Sequence, residues 1–232
     1  MTHNYKHIFF DLDHTLWDFT KNSNETLFYL YEYHKLENKL KCTPLAFSNR
    51  YSEINAQLWH QYNLGKVTKD DIRKLRFHQL FETFSYYNDS LAIEIDIHYL
   101  SICPDKTNLI AGTLEILQYL FEKYELHIIT NGFYETQTRK IKASNLDVFF
   151  KTVTTSECSG FTKPNKQMFS YSLRQANASY KESIMIGDNL ITDIRGAKNL
   201  GMDQVYLNQS KKTHRHKPTH EIYDLLELKT IL

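Results

Sequence analysis

The sequence predicts an α/β fold: a doubly wound parallel sheet interrupted by a helical insertion. Short apolar runs with Gly, Asp or Asn at their ends have the pattern of buried parallel strands, and helical periodicities separate the later runs. The spacing of the first two runs is the third observation. They lie about 115 residues apart, where a crossover including its helix needs only ~30.

In chain order, His7–Phe10 is the first strand. The surplus that follows, roughly 80 residues, is too long for a structureless loop in a compact domain, so a second folded unit is expected. Residues 18–100 are assigned to this inserted helical cap domain, packed over one end of the sheet, and 1–17 with 101–232 to the core. Within the insertion, Asn24–His34 and Ser90–Leu100 can supply helices, and Phe47, Tyr51, Ile54 and Leu58 form one helical stripe. Thr68 N-caps a helix through Ile72, Leu75, Phe77, Leu80, Phe81 and Phe84. Beyond it, Leu114, Leu117, Leu120 and Phe121 share a face before a second strand over Leu126–Thr130. A weaker strand at Thr152–Thr154 precedes a helix carrying Met168, Tyr171, Ser172 and Leu173. Strands at Ile184–Ile186 and Gln204–Leu207 follow, then an exposed basic loop, Ser210–His220, and a last short helix.

Composition narrows the function classes. The chain has 232 residues, 24% charged and 41% hydrophobic, with a net charge of +1. That excludes collagen, disorder and coiled coil, and it allows a core without disulfide support. Near-zero net charge argues against a nucleic-acid polymer as partner. Cys42, Cys103 and Cys158 are odd in number, form no CxxC pair and read as reduced core thiols. Ile8-Phe9-Phe10 runs straight into acids, unlike a secretory signal, and no stretch is long enough to span a bilayer. A soluble, cytoplasmic protein with no membrane partner is expected.

Open α/β sheets place their sites beyond the carboxyl ends of the strands. After the first strand come Asp11 and Asp13, two residues apart and able to aim at one side, where a cation or proton must let them coexist. After the second come Thr130-Asn131-Gly132; before a later helix, Lys163-Pro164; after the fourth strand, Gly187-Asp188-Asn189 and Asp193. Hard oxygen donors suit Mg²⁺, while lysine, threonine and turn amides suit phosphate. No GxxxxGK[ST] or GxGxxG signature is present, which disfavours nucleotide-triphosphate and dinucleotide cradles. A carboxylate can itself be the nucleophile. Lys163-Pro164 also fits a helix start, and Asp193 a helix-dipole partner. Trp17, Phe19, Trp59 and Tyr62 are candidates for stacking on a base or for ordinary packing. Arg76 is a candidate for a substrate oxygen or an ion pair, His14 for a backbone-amide contact, and His214-Arg215-His216 for a solvated loop rather than a metal site.

The series DLDHT, TNG, TKP and GDNLITD resembles the four motifs of the haloacid dehalogenase superfamily, in order and along the whole chain. The resemblance implies a Rossmann-like core with a helical cap of the first kind. It implies Asp11 as the nucleophile that forms an aspartyl-phosphate, and Asp13 as the acid that protonates the leaving oxygen and then activates water. Thr130, the amide of Asn131 and Lys163 would bind phosphate. Mg²⁺ would be held by Asp11, Asp188 and the backbone carbonyl of Asp13, with Asp193 orienting Lys163 or a metal-bound water. An acid at position 13 favours phosphatase over dehalogenase, because a departing halide needs no proton. Asn55, Leu58-Trp59, Tyr62, Gly65, Thr68, Leu75-Arg76-Phe77 and Phe133 are similar to YjjG-type 5′-nucleotidases. That implies a small phosphorylated partner, a nucleoside 5′-monophosphate, although Ser156–Lys163 departs from the pattern at Cys158 and Ser159. A phosphosugar phosphatase, a phosphomutase and a non-catalytic phosphometabolite-binding protein are the alternatives; monomer and homodimer both stay open.

Overall fold

The computed structural model describes residues 5–232. Contacts divide the chain into two compact units: the chain through Phe19 together with Thr107–Leu232, and Thr20–Lys106. Strand β1 (His7–Phe10) opens the first unit. Helices α1 (Phe19–Tyr33), α2 (Leu36–Leu40), α3 (Pro44–Asn63), α4 (Lys69–Glu82) and α5 (Asp89–Ile102) follow. The second unit runs past residue 100 because α5 continues to Ile102 and a 3₁₀ turn, Cys103–Asp105, extends it.

Local sequence explains these helices. Thr43 caps α3, its side chain accepting from the Ala46 amide at 3.2 Å, with Pro44 in the first turn where its missing N–H costs nothing. Phe47, Tyr51, Ile54 and Leu58 are all buried on one stripe. Thr68 and Asp71 close a capping box on α4. Ile72, Phe77, Leu80 and Phe81 are buried there, while Leu75 is half-buried and Phe84 lies past the helix end. Helix α2 has no sequence signature. Five residues are too few to show a period, and Lys35 and Lys41 bracket it in left-handed conformations, φ 50° and 51°.

Arg76 is buried within α4 and pairs with buried Asp96 of α5 through Nε at 3.1 Å and a second guanidinium nitrogen. Its guanidinium lies 4.8 Å from the Tyr99 ring centre and also faces Tyr51 and Phe77. The ion-pair reading of Arg76 therefore holds, with a cluster of three aromatic rings packed against the guanidinium.

The first unit resumes with α6 (Thr113–Phe121), β2 (Glu125–Thr130), α7 (Tyr134–Ala143), β3 (Phe150–Thr155), α8 (Ser156–Ser159) and α9 (Lys166–Gln175). It ends with β4 (Ser183–Gly187), a wide π-type turn over Leu190–Arg195, α10 (Gly196–Leu200), β5 (Asp203–Leu207), β6 (His220–Ile222) and a 3₁₀ turn at Leu225–Thr230. The sheet order is β3-β2-β1-β4-β5-β6 with every pair parallel, the Rossmann order whose direction reverses at β1. On one face Phe9, Ile129 and Met185 pack against Met168, Phe169 and Leu173 of α9 and Ala197 of α10. No helix among the described residues is long and apolar enough to cross a membrane.

Three expectations are corrected. In α6 the buried stripe is Thr113, Ile116, Leu117 and Leu120; Leu114 and Phe121 face outward. Of the three free cysteines only Cys103 is buried, Cys42 is intermediate and Cys158 exposed. The basic loop ends in strand β6, and His214 is anchored there: its ring is 3.3 Å from Glu221 and edge-on to Tyr206 at 5.1 Å.

Asp96→Asn should strand the buried Arg76 charge and cost about 3–5 kcal/mol of stability, measured as a shift of the urea midpoint.

Candidate active site

The pairing of β1 with β4 continues one step beyond the strand, as the Asp11 amide donates to the Ile186 carbonyl at 2.9 Å. Asp11 thus sits where the sheet order reverses, at the carboxyl edge of the central strand. Its carboxylate is 2.6 Å from Lys163 Nζ, and the same ammonium is 2.7 Å from Asp193 Oδ1. Lys163 is 2% exposed and Asp193 fully buried, so this amine and its two acids are desolvated together. Burial works against the Lys163 charge, yet Asp11 and Asp193 hold the ammonium protonated above the usual lysine range.

Asp193 is placed by the turn after β4. Asn189 caps that turn, its side chain accepting from the amides of Ile191 and Thr192 at 2.9 and 3.0 Å. The Asn189 amide in turn donates to Asp193 Oδ2 at 3.0 Å. Gly187 makes room: a Cβ there would stand 2.3 Å from Asp193 Oδ2. Asp188 receives the Thr15 hydroxyl at 3.3 Å.

Oxygens of Asp11, Asp188 and Asp193 lie within 4.8 Å of one another. Burial pushes the Asp11 carboxyl up to about 7 despite Lys163, with Asp193 and Asp13 adding to the rise. Burial, then Asp193 and Asp11, push Asp188 well above the ordinary carboxylate range. Three carboxylates share one amine in a dry site, and the raised Asp11 and Asp188 carboxyls mark the cost of ionising all three there together. A hard divalent cation with oxygen preference fits that donor set and lowers that cost.

The phosphate-facing candidates are joined by a side-chain clasp. Asn131 Nδ2 donates to the Lys163 carbonyl at 3.0 Å, and the Lys163 amide donates to Asn131 Oδ1 at 2.7 Å. The Ser156 hydroxyl holds the Asn131 carbonyl at 2.9 Å. Thr130 Oγ1 accepts from the Gly132 amide at 3.1 Å and from Gln137 Nε2 at 2.7 Å, which leaves its own proton to donate elsewhere.

Asp13 faces a different partner set. Lys140 Nζ lies 2.6 Å from its Oδ1 and Gln137 Nε2 2.9 Å from its Oδ2. Burial opposes its charge, but Lys140 and Gln137 hold the carboxyl below its ordinary value. The Lys140 ammonium also sits 4.4 Å over the Trp17 ring, which is fully buried, and 5.5 Å from Phe19, so Trp17 is packing rather than an open platform. In the other unit Trp59 and Tyr62 stand edge-to-face, 5.5 Å apart on α3. His14 adopts a left-handed φ of 65°, and its amide donates to the Trp17 carbonyl at 2.9 Å, which ties up the group expected to be free.

Gln137 and Lys140 escape sequence reading. Their signal is that polar side chains occupy the inward positions of α7, three apart and next to buried Ile141.

The family profile described as haloacid dehalogenase-like hydrolase matches residues 48–207. The chain belongs to this family. Among relatives of this hydrolase, HAD-hydrolase YfnB of Bacillus subtilis is 33% identical over 98% of this chain and 95% of its own. The structure of YfnB bound to magnesium superposes with a TM-score of 0.89, covering 98% of both chains at 30% identity. Pyrimidine 5′-nucleotidase PynA of Streptococcus pneumoniae is 30% identical over 97% of this chain and 93% of its own. Pyrimidine 5′-nucleotidase YjjG of Escherichia coli is 29% identical over 97% and 96%.

Gly187→Ala should force Asp193 away from Lys163 and lower stability by about 1–3 kcal/mol, read from the urea midpoint at unchanged slope.

Proposed function

We propose that this hydrolase is a Mg²⁺-dependent phosphatase acting on a small phosphomonoester, with nucleoside 5′-monophosphates as its substrate class. The observation that carries the reading is the buried Lys163 ammonium bridging Asp11 and Asp193, with Asp188 alongside. The names of PynA and YjjG, which match nearly the full length, support the substrate class. A cytoplasmic setting, where thiols stay reduced, is part of the proposal.

In the proposed reaction Asp11 attacks phosphorus and forms an aspartyl-phosphate, while Asp13 gives a proton to the departing oxygen. Asp13 then takes a proton from water, the water attacks the acyl phosphate, and phosphate leaves with Asp11 regenerated. Mg²⁺ held by Asp11, Asp188 and the Asp13 carbonyl would supply charge neutralisation between nucleophile and dianion. Lys163, the free Thr130 proton and the Asn131 amide would neutralise the phosphoryl oxygens. The roles differ because the surroundings differ: Asp11 answers to Lys163, Asp13 to Lys140 and Gln137. Those two favour the ionised Asp13, the form needed as base in the second step; for the first step it must take up a proton, which the negative charge of a bound phosphomonoester nearby favours.

Free phosphate released from a panel of nucleoside 5′-monophosphates and phosphosugars, with and without Mg²⁺, tests the reading. Asp11→Asn should lose at least about 10³-fold in turnover, and chelation should bring the native enzyme to the same floor. Full activity in Asp11→Asn would refute it. Lys140→Met should lower kcat about 100-fold with little change in KM, and Lys140→Arg should recover most of that loss.

A further inference from the structure

Far from the acids, at the amino ends of β1 and β2, a second group of ligand-type side chains converges. His7 lies beside Glu125 in the parallel register, and His127, two residues on from Glu125, emerges on the same face. His7 Nδ1 is 3.4 Å from Glu125 Oε2 and 3.2 Å from His127 Nε2. All three donor atoms lie within 4.8 Å of one another. Zinc–ligand bonds of ~2.0–2.1 Å at tetrahedral angles put neighbouring donors about 3.4 Å apart, so two edges of such a site already stand at metal-binding length.

We propose that His7, Glu125 and His127 form a binding site for a borderline divalent metal of the Zn²⁺ class, independent of the aspartate site. Two imidazoles and one carboxylate suit that class and are poor ligands for Mg²⁺. The outer contacts agree. His127 Nδ1 lies 2.9 Å from Thr152 Oγ1; a proton on Nδ1 donated to that hydroxyl would leave Nε2 for metal. With His7 carrying its proton on Nε2, both facing nitrogens present lone pairs. Glu125 is exposed, and His7 and Glu125 border an open groove also lined by Lys6, Lys123 and Lys151. That leaves a fourth position for water or a small anionic ligand. Metal there would tie the first residues of two neighbouring strands together.

The test uses the full chain in excess Mg²⁺, which keeps the aspartate cluster occupied. One equivalent of Co²⁺ should develop the intense visible bands of four-coordinate cobalt, Zn²⁺ should bleach them, and Zn²⁺ should raise the melting midpoint. Glu125→Ala, at an exposed position, should weaken Zn²⁺ binding at least about tenfold, and Thr152→Val about 10–100-fold, both with unchanged phosphate release. No cobalt bands in the native protein would overturn the proposal. So would equal Zn²⁺ affinity in the native protein, Glu125→Ala and His127→Gln, which would place the metal elsewhere.

Discussion

One ammonium group shared by two carboxylates governs the catalytic unit. Lys163 arrives from the loop before α9, Asp11 from the end of β1 and Asp193 from the turn after β4, and none of the three is stable alone in that setting. A buried charge without a partner costs several kcal/mol, so each element must be in place for the others to remain. The cluster is nevertheless left over-acidic by Asp188. The fold thereby sets a cost on ionising all three acids at the sheet edge, and a cation with an anionic substrate can offset it.

The second unit solves a similar problem differently. Arg76 and Asp96 match in charge, and aromatic rings pack against the guanidinium. Nothing there calls for a further ion. The contrast separates a closed ion pair, which holds helices together, from an open one, which is suited to chemistry.

Much of this was legible in the sequence for plain physical reasons. Central strands of a parallel sheet are covered on both faces, so β1, β2, β4 and β5 read as apolar runs, and the acids at their ends stand out. Strand β6 did not, because three residues, HEI, at a sheet edge carry no run. In α6 Leu114 and Ile116 are equally apolar, so composition could not say which faced the sheet. The acids and Lys163 were found through motif order; Gln137 and Lys140 were not, since Gln and Lys on a helix ordinarily mark a solvated face. What distinguishes them is a partner over 120 residues away, the Asp13 carboxylate.

The Asn131 side chain mimics a strand neighbour, giving and taking one hydrogen bond with the backbone of Lys163. Because that amide grip fixes the far end of the connection and Ser156 fixes the near one, the stretch between them hangs from two pins. Between those pins Glu157 accepts the Tyr134 amide at 2.6 Å and the Thr162 carbonyl accepts the Asn165 amide at 2.9 Å, so the ends of the stretch are tied down and its exposed middle, Gly160 and Phe161, carries the least of the load. An exposed loop middle held at both ends tolerates changed length or composition at little thermodynamic penalty, so sequence change there would leave the grip on the lysine backbone in place.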